Sequence, residues 1–62
     1  VDVTGVRLVM TNGAERIYTA GRAWEVDGFG DYVITDENAN KIASRKRASV
    51  DYIELVYAGD SQ

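Results

Sequence analysis

Apolar and polar residues alternate with a period of two along much of the chain, and short clusters of Gly, Asn and Asp interrupt the alternation. That period places successive side chains on opposite faces of an extended strand, and such clusters form turns. VRLVMT, from Val6 to Thr11, predicts a first strand. Asn12-Gly13, whose residues tolerate positive φ, predicts a two-residue hairpin loop after it. AERIYTA, Ala14 to Ala20, supplies the returning strand, with Ile17 and Thr19 on one face and Arg16 and Tyr18 on the other, and Gly21 breaks it. Ala23 to Asp27 reads as a third strand, with Trp24 and Val26 pointing one way and Glu25 the other. Asp27-Gly28-Phe29-Gly30 then turns the chain into a fourth strand, Asp31 to Thr35. Asp36 to Asn40 forms a polar turn, Lys41 to Ser44 a brief fifth strand and Arg45-Lys46-Arg47 a charged connection, and Ser49 to Ala58 closes the domain. A helix over Asn38 to Ser49 would align Ala39, Ile42 and Ala43, but the next position on that face is Lys46, so nothing beyond a helical turn would persist.

Five to six short strands joined by turns predict a single all-β domain over residues 1–62, a small antiparallel meander or SH3-like barrel, with residues 59–62 frayed. The expected core is Trp24, Val26, Val33, Ile42 and Ile53. Phe29, between two glycines, is either a tip residue exposed for binding or an aromatic folded back onto the core, and the second reading is favoured for a lone ring.

Length sharpens this picture. With 62 residues the chain lies near the lower limit for independent folding, where domains lean on disulfides, a structural metal or association. It contains neither cysteine nor histidine, which removes disulfides and the usual thiolate and imidazole zinc sites, so association is the expected support. No apolar run approaches the roughly 20 residues of a membrane span, and neither a signal peptide nor a membrane partner is expected.

Catalysis would rest on ten carboxylates, because no imidazole or thiol titrates near neutrality. Asp27, Asp31, Asp36 and Glu37 fall in turns, where Asp serves backbone hydrogen bonding. Asp36, Glu37, Asn38 and Asn40 resemble a calcium loop only superficially, lacking the central glycine and the distal bidentate Glu. Gly28-Phe29-Gly30 lacks the third glycine, following helix and nearby Lys of a phosphate loop. The reading is a non-enzyme without cofactor or metal.

Two binding surfaces stand out instead. The aromatics Tyr18, Phe29, Tyr32, Tyr52 and Tyr57 form a candidate protein interface, since a ring with a polar tip suits partly dry contacts. Lys41, Arg45, Lys46 and Arg47 place four of the seven basic residues in one loop, 41–47, a candidate contact for nucleic-acid phosphates, although the net charge of −3 opposes general attraction to them and no aromatic is interleaved for base stacking. The leading expectation is a protein-interaction module that self-associates or docks on another protein, and the alternative is a small nucleic-acid-binding barrel.

WEVDGFGDYVITDENANKIA, Trp24 to Ala43, resembles the recurrent theme of small β-rich proteins of phages and prophages of Gram-positive bacteria: a Trp-x-Val strand, a glycine turn, a strand ending in Asp and a short strand ending in Ala. The resemblance implies a phage origin and a fold rather than a mechanism; the leading expectation then takes a host or virion protein as the docking partner, with the cytoplasm of an infected or lysogenic bacterium as the default location. Such proteins share no assigned activity, so no functional residue carries over. Ser44-Arg45-Lys46-Arg47 departs from the theme, where a hydrophobic residue commonly follows.

Overall fold

The computed structural model describes residues 2–59 and contains six strands: β1 (Val3–Met10), β2 (Glu15–Tyr18), β3 (Ala23–Val26), β4 (Asp31–Thr35), β5 (Lys41–Lys46) and β6 (Val50–Tyr57). A single turn of 3-10 helix, Arg47–Ser49, leads into β6. All pairings are antiparallel, in two three-stranded sheets of order β2-β1-β6 and β3-β4-β5. The all-β expectation therefore holds, with hydrogen bonding organised as two sheets. The expected fraying of residues 59–62 falls, apart from Gly59, outside the described residues.

Register fixes which side chains meet. In β2-β1-β6, Val6 lies opposite Tyr18 and Leu55, and Leu8 opposite Arg16 and Ile53. In β3-β4-β5, Ile34 lies opposite Trp24 and Ala43, and Tyr32 opposite Val26 and Arg45. Directly paired residues share a face, so these two sets are the sides on which the sheets pack. Val6, Leu8, Ile34 and Val50 form the buried cluster, with Met10, Tyr18, Tyr32, Ala43, Ile53 and Leu55 around it. Burying each such aliphatic side chain stabilises the fold by about 1.5–3 kcal/mol. The core is small, and the Cα envelope of 32 × 28 × 13 Å is about as thin as two packed sheets.

The three hairpins share one loop geometry. In each, the residue before a three-residue loop donates its N–H to the carbonyl of the residue after it: Met10 to Ala14, Asp27 to Asp31, and Asp36 to Asn40, at 2.8, 3.0 and 2.9 Å. The last loop residue, Gly13, Gly30 or Ala39, donates back to the carbonyl of the first strand and has positive φ of 91°, 83° or 66°. This is the type I turn closed by a left-handed residue. The Asn12-Gly13 turn is therefore in its expected place, but its loop has three residues rather than two, because Asn12 keeps negative φ and only Gly13 is left-handed.

Three core assignments are corrected. Trp24 and Val26 face the packed side but lie on β3, an edge strand that reaches beyond the buried cluster, and remain 38% and 43% exposed. Ile42 is the extra residue at a bulge, where the register passes from Ala43 to Lys41 across Ile34 and Thr35. A bulged residue leaves the ladder's alternation, and Ile42 is 40% exposed. Val33 is buried as expected and Ile53 is packed against the core. The positions that read as an undifferentiated first strand, Val6 and Leu8, are with Ile34 the most deeply buried of the described residues.

Candidate interaction surface

The β3–β4 hairpin is built for rigidity at its base and left bare at its tip. Oδ1 of Asp27 accepts from the backbone N–H groups of Phe29 and Asp31 at 2.8 and 2.9 Å, so the loop is held from inside. These bonds hold the Asp27 carboxyl below the usual aspartate range, the bond from Asp31 contributing most. A general acid would require the opposite shift. Phe29 is 93% exposed, which overturns the expectation that it folds back onto the core. Between Gly28 and Gly30, in a loop closed by its own backbone and by Asp27, the ring has no inward path.

Along the same hairpin, Trp24 and Tyr32 pack edge to face with ring centroids 5.5 Å apart and planes at 84°, an arrangement aromatic pairs favour. Val26 lies directly opposite Tyr32. Trp24, Val26, Tyr32 and Phe29 are thus contributed by one hairpin. The edge it offers is short and carries Glu25, the kind of charged residue that blunts edge-to-edge pairing.

The other candidate aromatics do not join this group. Tyr18 packs against the core and accepts a hydrogen bond on its hydroxyl from Nε of Arg45 at 3.2 Å, tying the two sheets together. Tyr52 lies opposite Val9 on the outer face of β2-β1-β6, and Tyr57 sits opposite Val3 at the far end of β6. Sequence reasoning missed Trp24 and Val26 as surface residues. Alternation marks both as inward-facing, and their exposure comes from the place of β3 at a sheet edge, which the sequence does not signal.

The basic group is also divided, and the expected loop over 41–47 is corrected. β5 continues through Lys46, and Arg47 begins the 3-10 turn. Strand alternation then places Arg45 on the packed side opposite Tyr32, and Lys46 on the outer side opposite Asp31. Lys41 pairs across the bulge with Thr35. On the outer face of the other sheet, Arg7 is clamped between Glu15 at 2.7 Å and Glu54 at 3.0 Å, and the Glu15 hydrogen bond raises its pKa further above its ordinary value.

Among the described residues, no three His, Cys, Asp or Glu side chains gather as a metal site would require, and no helix is long and apolar enough to cross a membrane. Comparison with protein-family models, curated proteins and solved structures returns no match for the chain.

Proposed function

We propose that the protein is a non-enzymatic interaction module, of phage origin, that associates through its β3–β4 hairpin, the first partner being a second copy of itself. Phe29 carries this reading. A phenylalanine 93% exposed at the end of a locally closed loop buries almost nothing in its own fold, and an exposed aromatic beside further apolar surface marks a contact site. Trp24 and Val26 extend that surface down the hairpin, and Glu25 disfavours bare edge pairing, so contact through side chains fits better than strand addition. The resemblance of Trp24 to Ala43 to phage and prophage proteins supports the origin and a bacterial cytoplasmic setting.

Sedimentation equilibrium from about 1 µM to about 1 mM, a range spanning weak and moderate affinities, tests the reading on the wild type and Phe29→Ser. The wild type is expected to exceed the monomer mass of 6.8 kDa as concentration rises. The variant, which removes a side chain with no inward contact, is expected to remain folded and shift toward monomer. A wild type that keeps the monomer mass throughout would discard self-association.

A further inference from the structure

A second feature lies away from the hairpin tip. Where the β1–β2 loop approaches the 3-10 turn, with the Thr11 N–H donating to the Ser49 carbonyl at 3.1 Å, a hollow of about 240 Å³ opens between the sheets. Its lining is Met10, Thr11, Asn12, Ala14, Arg16, Arg45 and Ser49. Two arginines, from β2 and β5, border it and no carboxylate does, on a protein with ten acidic residues and a net charge of −3.

No carboxylate among the described residues neutralises either guanidinium. Among the described residues both ion pairs belong to Arg7, and Arg16 makes no side-chain hydrogen bond. Arg45 spends Nε on the Tyr18 hydroxyl, which fixes the direction of its planar fork and leaves both terminal nitrogens without a partner among the described residues. Asn12 uses Oδ1 to accept from the Ala14 N–H, so its remaining side-chain group is the donating amide. An anion entering the hollow meets a cation from each sheet, and guanidinium forks match the oxygens of a phosphate.

We infer that Arg16 and Arg45 form a binding site for a phosphate group, with Asn12 as an additional donor. The volume falls below the roughly 300–1,000 Å³ of sites that enclose a whole small molecule, so one phosphate enters while the rest of its carrier lies outside. That carrier is either a small phosphorylated molecule or the backbone of a single strand. Tyr18 and Tyr32, which flank Arg45 by hydrogen bond and by register, pack against the core and do not line the hollow, so the recognition falls to the guanidinium groups. The site is thus not the loop 41–47 as a unit: it takes Arg45 from it and adds Arg16.

The test follows Arg16 and Arg45 side-chain resonances while inorganic phosphate, and separately a short single-stranded oligonucleotide, is added to the folded protein. Both resonances are expected to shift in a saturable manner. Arg16→Gln, which breaks no side-chain hydrogen bond or ion pair among the described residues, should weaken binding about tenfold, the equivalent of one charge-assisted hydrogen bond. Lys41→Gln, the same charge change outside the hollow, should weaken it less than about twofold. An oligonucleotide that binds more tightly than phosphate, with affinity falling steeply with salt, assigns the site to a strand backbone; equal or weaker binding assigns it to a small phosphorylated molecule. Absence of any shift at about 10 mM phosphate and with the oligonucleotide, or equal weakening by Lys41→Gln, would overturn the inference.

Discussion

Ala39 occupies the position that Gly13 and Gly30 fill in the other two hairpins, and with φ at 66° it is the only non-glycine residue with positive φ among the described residues. A Cβ in the left-handed region costs roughly 1–2 kcal/mol. Part of any relief is offset by the greater unfolded freedom of glycine, about 0.4–1 kcal/mol. Ala39→Gly is accordingly expected to stabilise the domain by about 0.5–1 kcal/mol, and a thermal melt should show its midpoint raised by a few degrees. The same substitution made at exposed Ala14, where φ is not positive, should not stabilise. The need for a left-handed residue was legible in Asn12-Gly13 and Phe29-Gly30. At Asn38-Ala39 it was not, because alanine carries no signature of the strain it tolerates.

At the scale of elements, the acidic residues at the starts of the second and third loops replace what a turn sequence alone cannot supply. Asp36 repeats the arrangement of Asp27, its Oδ1 accepting from the N–H groups of Asn38 and Asn40 at 2.9 Å each. The first hairpin has Met10 at that position and relies on Asn12 within the loop. For Asp27 the pH dependence follows from the lowered pKa. Its ionised form favours the folded state, so its contribution is complete above the ordinary aspartate value of about 3.9 and is lost as pH falls through the lower folded value. Asp27→Asn should therefore be less stable than the wild type at neutral pH, and the gap should narrow toward about pH 2. Urea titrations of both proteins across that range check it, and a gap independent of pH would mean that the carboxylate's charge is immaterial. Strand order in the sequence was readable from alternation, as β4 shows, where the expected and observed bounds agree. The end of β5 was not, because Arg45 and Lys46 look like a solvated connection until one of them is seen to have a tyrosine hydroxyl to turn toward.

For the whole molecule, the decisive position is a corner. Gly21 is buried between the sheets, where an added Cβ would come within 2.9 Å of Cγ2 of both Val6 and Ile34 and 3.1 Å of the Tyr18 carbonyl oxygen. Val6 and Ile34 are the central residues of opposite sheets, so the chain crosses from one sheet to the other at their closest approach. Neither methyl can yield without disturbing the core cluster. Gly21→Ala is expected to destabilise by about 1–3 kcal/mol, measured by urea unfolding, and a neutral result would mean the sheets separate more readily than their packing implies. Which aliphatic residues would become the core depended on this corner. Alternation marks Val6, Ile34, Trp24 and Val26 equally as inward-facing, and only the way the sheets overlap selects the first two.

The two ends of this arrangement also meet. β1 and β6 lie side by side, and beyond their ladder the Ala58 N–H donates to the Asp2 carbonyl at 2.8 Å. The backbone at Asp2 and at Ala58 is therefore separated by about one strand spacing, roughly 4.8 Å. A domain with that property behaves as a cassette. It can be spliced into a surface loop of an unrelated host without prying the host's own elements apart, and its β3–β4 hairpin would then be displayed on a frame that both flanking segments hold at the same point.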